Sequence, residues 1–184
     1  MIALIIIIVI IIILLIVSFT IYNRVQGARV QVQNAKANID NQYKRRSDLI
    51  PNLVETVKGY AKHEKTTFEN ITKFRGMIND SSASMNKRAN ADNALTRTLN
   101  HLFAVAENYP ELKANQNFLN LQENLTNTEN MVAFARQNYN NYVKVYNTYL
   151  VTIPYMWFKN VGHFQKDEFI QINEKERKTP KVKF

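Results

Sequence analysis

Three histidines, no cysteine and fifteen acidic side chains are what the chain offers for acid–base, nucleophilic or metal chemistry. His63-Glu64 opens like the helical zinc motif of metallopeptidases, but Lys65-Thr66-Thr67 follows and the second histidine that would complete a two-ligand face is missing. His63 therefore reads as a surface residue beside a glutamate. His101 adjoins the apolar positions Leu99 and Leu102 and reads as a residue at a bundle edge. The lack of cysteine excludes a disulfide framework, a thiolate metal site and a thiol nucleophile. There is no nucleophile elbow, phosphate loop or calcium loop. Glu107 and Glu123 lack the Glu-x-x-His pairing that a di-iron bundle needs. The expectation is a protein that is not an enzyme, with no catalytic residue, cofactor or metal ligand.

The most suggestive polar cluster surrounds Pro51: Arg45, Arg46, Asp48 and Asn52. It has two readings. In one, Asp48 and Asn52 satisfy helix-end groups while the arginines answer the helix dipole. In the other, the four form a recognition loop. A second polar set, Glu107, Tyr109, Glu111 and Lys113, surrounds Pro110. A third group is aromatic: Tyr155, Trp157 and Phe158 with Lys159, followed by Val161, Phe164 and Phe169. Either this segment folds back over a bundle or, with Tyr22 and Arg24, it forms a foot at a lipid interface, where aromatics sit at headgroup level and lysines meet phosphates.

What must position these groups is set by the apolar start. Residues 1–17 are only Met, Ile, Ala, Leu and Val, and the first charge is Arg24. A helix over residues 1–22 would rise about 33 Å, against a hydrocarbon core of about 30 Å. A cleaved signal peptide is the competing reading, but no basic residue precedes the run and no small-x-small site follows it. An anchor is favoured over a signal. Residues 24–65 hold nine basic and four acidic side chains, a local excess within the net charge of +9. Basic residues on one flank of a membrane helix fit the positive-inside bias better than a nucleic-acid face, so the bundle is expected in the cytoplasm of a bacterial cell, single-pass with the N-terminus outside. Nucleic acid is not an expected partner. Three N-x-S/T sequons, at Asn70, Asn79 and Asn124, are then accidents of an Asn-rich chain.

Four Gly and four Pro in 184 residues leave little punctuation for β-structure or disorder. Val25, Ala28, Val32, Ala35, Ile39 and Tyr43 keep a 3-4 spacing, carrying the membrane helix onward. Phe118, Leu121, Leu125, Thr128, Val132, Ala135, Tyr139, Tyr142, Tyr146 and Tyr149 keep it through one long helix that Pro154 ends. Between these lie the stripes Leu53, Val57, Tyr60, Ala61, Phe68, Ile71, Phe74 and Leu95, Leu99, Leu102, Phe103, Ala106. Residues 79–84 read as a polar loop, and Asn108-Tyr109-Pro110 as a break. A turn is favoured at residues 47–50, before Pro51, over a kink in one continuous helix, since an interior proline costs about 3 kcal/mol. The fold is then all-α: a transmembrane helix (1–22) continuing into an antiparallel up-and-down four-helix bundle (23–154), with an aromatic and basic C-terminal segment (155–184) whose last residues, 174–184, are charged and expected to be mobile. A turn before Pro51 would bring that loop and the Pro110 loop to one end, where their opposite charges could close a salt-bridged cap.

RRSDLIPNLVETVKGYAKHE (45–64) resembles the signature of the LemA family of bacterial membrane proteins. AENYPELKAN (106–115), the register Phe118, Leu121, Leu125, Glu129, and ARQNYNNYVKVYN (135–147) follow in matching order. The resemblance implies a short N-terminal tail, one membrane helix, an up-and-down helical bundle, a gene neighbourhood shared with membrane metallopeptidases and no settled activity. The chain departs in being Asn-rich over residues 79–93, where relatives tend to be Ala-rich, and in carrying Ile153 where Phe commonly precedes the later proline. The functional expectation is a scaffold or adaptor acting by protein–protein association at the membrane, as a homo-oligomer or with a membrane protein partner. The alternative is a lipid-binding, membrane-shaping or stress-related assembly. The tyrosine-rich seam over residues 139–149 leaves open whether those rings are core or an oligomer contact.

Overall fold

The computed structural model describes residues 1–61 and 63–171; the charged end at residues 174–184 lies outside them. The fold is all-α, with an apolar N-terminal helix that runs on into a packed bundle. Its elements are α1 (Ile2–Lys58), α2 (Lys65–Asn79), α3 (Met85–Ala106), the single turn α4 (Pro110–Lys113), α5 (Gln116–Tyr149) and a 3₁₀ turn (Tyr155–Phe158). They sort into two compact units. The first comprises Met1–Asn38 and Gln137–Phe169; the second comprises Ile39–Arg136 with Ile170 and Gln171.

The ends of the helices follow from local chemistry. Ser84 caps α3, its hydroxyl accepting from Lys87 N at 3.3 Å. Asn115 caps α5, its side-chain oxygen accepting from the amides of Asn117 and Phe118 at 2.9 and 3.2 Å. Pro110 opens α4 at its first turn, where a missing N–H costs nothing. In the connection between α2 and α3, Asp80 accepts from the amide and hydroxyl of Ser82, which holds its carboxyl below the usual range.

The expected turn before Pro51 does not form. Pro51 lies inside α1, and the chain turns only after Lys58, at Gly59, where the amides of Tyr60 and Ala61 both reach back to Val57 O. Two things offset the proline. Ile50, Leu53 and Val57 are buried in unbroken phase with Ile39 and Tyr43, and a buried aliphatic side chain contributes about 1.5–3 kcal/mol. In addition, the carbonyl that Pro51 leaves without its helical donor, Ser47 O, accepts from Arg75 Nε of α2 at 3.0 Å.

α5 is the uninterrupted helix its spacing predicts, but its seam shifts. Phe118, Leu125, Thr128, Val132, Ala135, Tyr139 and Tyr146 are buried as expected; Val143 and Leu150 take core positions in place of Tyr142, which faces out, and Tyr149, which is half-buried. A strict heptad drifts about 20° per seven residues on a straight helix, and the consecutive four-residue steps from Ala135 to Tyr139 to Val143 correct it.

The second unit buries Ile39, Tyr43, Leu53 and Val57 of α1 with Phe68 and Ile71 of α2, Leu95, Leu99 and Leu102 of α3, and Phe118, Leu125 and Val132 of α5. One end of it is tied where Asn115 Nδ2 donates to Tyr60 OH at 3.4 Å. The first unit buries Val25, Val32 and Ala35 of α1 with Tyr139, Val143, Tyr146 and Phe164.

Candidate functional site

The seam of α1 runs Ile39, Tyr43, Arg46, Ile50, so a charged residue sits at a core step. Arg46 is 1% exposed. Its guanidinium donates to Asp92 Oδ1 at 2.5 Å, Thr96 Oγ1 at 2.8 Å and Glu129 Oε2 at 3.3 Å. Arg136 of α5 takes the other oxygen of Asp92 at 2.8 Å and donates also to Asn93, to Ala89 O and to Tyr43 OH. Arg88 of α3 donates to Asp40 at 2.6 Å and to Ile78 O, at the end of α2, at 2.7 Å. Its guanidinium stands 5.1 Å from the centre of the Tyr43 ring. Burial pushes the Tyr43 phenol above its ordinary pKa, and Arg136 opposes that shift.

Three arginines and three carboxylates thus balance within one unit, drawn from the three helices α1, α3 and α5. Asp92 is engaged on both oxygens, while Arg46 Nε keeps no hydrogen-bond partner. The cluster's chemistry is positional, fixing which residues of α1, α3 and α5 stand opposite each other.

The expected polar cap is not built. Arg46 turns into the core, while Arg45, Asp48 and Asn52 lie exposed on α1, with Asp48 paired to Lys44 at 3.1 Å. Glu107 pairs with Lys113 at 2.5 Å across α4, and Tyr109 precedes that turn. The Pro51 set is divided, Arg46 bonding to α3 and α5 and Asp48 to Lys44, because it lies within a helix, whereas in the Pro110 set Glu107 and Lys113 pair with each other. Among the described residues no ion pair joins the two sets, and no group of three or more His, Cys, Asp or Glu side chains is placed to hold a metal. His63, His101 and His163 are all exposed.

The aromatic segment belongs to the first unit and is held at the base of α1. Arg24 donates to Tyr155 OH at 3.0 Å, a bond that raises the arginine pKa further. Phe164 is buried, its ring 5.7 Å from that of Tyr22 and 5.9 Å from the Arg29 guanidinium. The reversal that brings it there uses His163 at φ 48° and Gly162, where any Cβ would lie 2.2 Å from the Phe164 ring. Asn147 then exchanges two hydrogen bonds with the backbone of Asp167, and Tyr139 OH donates to Glu168 O. Tyr155 and Phe158 are half-buried, whereas Trp157 and Lys159 are exposed.

Residues 35–184 match the family model described as the LemA family. The chain belongs to the LemA family. Protein LemA of Metamycoplasma hominis is 24% identical over 161 residues, covering 82% of this chain and 72% of that protein. Magnetosome proteins MamQ 1 and MamQ 2 of Paramagnetospirillum magneticum are each 22% identical over 175 residues; the match takes in 82% of this chain but only 64% of theirs. α1 begins with a stretch long and apolar enough to cross a membrane, none of it buried. The chain is a membrane-associated helical protein of this family.

Asp92, Arg88, Arg136, Asp40 and Tyr43 were not among the site residues the sequence pointed to. Their signal was phase: Arg88 and Asp92 keep step with Leu95 and Leu99, as Arg46 does with Ile39 and Ile50.

Proposed function

We propose that the chain is a membrane-anchored scaffold that works by protein–protein association, with further copies of itself first, the bundle lying on the cytoplasmic side. The supporting observation is the outer face of α5. Met131 and Phe134 in the second unit are 51% and 60% exposed, and Tyr142 and Val145 in the first are also exposed. Each pair stands three residues apart on its own unit's stretch of α5, apart from the seam that is buried. Large apolar side chains paired in this way on an otherwise polar helix face are a mark of a contact surface. A second copy is the favoured occupant because the membrane helix confines copies to two dimensions, where weak contacts suffice. The basic flank after Tyr22 supports the cytoplasmic orientation.

The test is the mass of the detergent-solubilised full-length chain across a wide concentration range, with Met131→Glu/Phe134→Glu as the comparison. The expected result is concentration-dependent association that the double variant abolishes while keeping its helical circular dichroism. A monomeric mass throughout would refute the scaffold reading in its self-associating form.

A further inference from the structure

We propose that residues 153–161 form a lipid-interface foot, whose exposed side chains enter the headgroup region of the leaflet from which α1 emerges. The argument starts from depth. The apolar stretch Ile2 to Ile21 rises about 30 Å, the thickness of the hydrocarbon core, so Tyr22 to Arg24 stands where hydrocarbon gives way to headgroups. Arg24 is hydrogen-bonded to Tyr155, and Tyr22 packs on Phe164, so the 3₁₀ turn is held at the depth of those two residues. Once α1 spans a bilayer, this segment has the headgroup layer for its surroundings.

Its side chains suit that layer. Ile153, Trp157 and Val161 are 68%, 65% and 71% exposed. Only Phe164 turns fully inward. Lys159 is exposed beside them, placed with Arg24 to meet lipid phosphate. The segment is also fixed in place, through Tyr155, Phe164 and the Asn147–Asp167 pair, so its apolar side chains cannot withdraw by local rearrangement. A bilayer, continuous with the span of α1, is the occupant that needs no further partner. The foot differs from the expected one in membership: Ile153 joins Trp157 and Val161, whereas Tyr155 and Phe158 turn partly toward protein and Phe164 wholly so.

Trp157 is the only tryptophan, so intrinsic fluorescence reads this segment alone. The experiment reconstitutes the full-length chain in vesicles of mixed zwitterionic and anionic phosphatidyl lipids, with bromine either near the glycerol end or near the terminus of the acyl chain. Expected are a blue-shifted emission, loss of most of the intensity with the shallow bromines, less loss with the deep ones, and protection from aqueous iodide. In Ile153→Asp/Val161→Asp, which keeps Trp157 and changes only exposed residues, bromine quenching falls and iodide quenching rises. Two outcomes overturn the proposal. One is emission typical of indole in water, quenched by iodide and indifferent to bromine. The other is a blue shift indifferent to bromine at either depth, which means that protein covers the segment. Neither outcome depends on whether the outer face of α5 associates.

Discussion

Arg75→Ala should cost stability only while residue 51 is proline. In the native chain the carbonyl of Ser47, a residue 1% exposed, has lost its helical donor and takes Arg75 Nε at 3.0 Å instead. Removing that donor strands a buried carbonyl; hydrogen bonds from charged groups contribute about 1.5–3 kcal/mol, and the half-buried arginine places this one near the lower end, at about 1.5 kcal/mol. In Pro51→Ala, the new amide donates along the helix to Ser47 O. The replacement by itself should stabilise by about 1–3 kcal/mol, the upper value being the full helix-interior penalty of proline. With Ser47 O satisfied by α1, Arg75→Ala should then cost only a few tenths of a kcal/mol, like a surface change. The cycle predicts a coupling of about 1 kcal/mol or more between residues 51 and 75, carried by the Ser47 carbonyl. Urea unfolding of the full-length chain in a mild non-ionic detergent, followed by helical circular dichroism, measures all four corners. Equal costs of Arg75→Ala in both backgrounds, or a Pro51→Ala that destabilises, would refute the account of how α1 carries its proline.

Asp92→Ala leaves Arg46 and Arg136 without their shared partner and should destabilise by about 3–5 kcal/mol in the same assay. Arg46→Met should cost clearly less, since Asp92 keeps Arg136 and the native arginine already leaves Nε without a hydrogen bond; a larger loss for Arg46→Met would invert the reasoning. Burial, then Asp167 and Glu168, pushes the Tyr139 phenol from 10.0 to about 12. Because the folded value is the higher one, neutral Tyr139 contributes stability fully below pH 10, and that contribution is lost as pH rises toward 12; ultraviolet titration should show late phenols, Tyr43 and Tyr146 among them, and Tyr139→Phe should remove one. Gly162→Ala places a methyl against the Phe164 ring and should displace it, costing about 1–3 kcal/mol and shifting the Trp157 emission, with an unchanged spectrum and midpoint as the contrary result.

Most of the bundle was legible because its signals were long and agreed with one another. α5 carries no proline or glycine over more than thirty residues, and the polar run before Ser84 and the proline at 110 mark ends that local chemistry enforces. The end of α1 was not legible from local cost alone. Proline at 51 weighs against a helix by a known amount, but what outweighs it comes from α2, through Arg75, and from three aliphatic residues whose burial depends on the packed bundle. The phase through Ile50, Leu53 and Val57 carried the correct answer; residue type carried the misleading one. The same conflict hid Arg46, assigned to a surface cluster by its charge and to the core by its position.

The two departures from an ordinary soluble bundle point in opposite directions, and that decides where function is to be sought. Charges inside are informative only until their partners are found, and here Arg46, Arg88 and Arg136 are met by Asp40, Asp92 and Glu129. Large apolar side chains outside are informative in the other sense, because burial within the chain has not removed them from water. Ile2 to Val17 has an evident solvent in the bilayer. Phe134 and Met131 on α5, and Trp157, Ile153 and Val161 after it, do not have one inside the fold. Clustered exposures of this kind persist when something beyond the chain covers them. The proposed lipid contact at Trp157 and the proposed protein contact on α5 lie at different places in the chain, so the single tryptophan and the Met131/Phe134 variant test them separately.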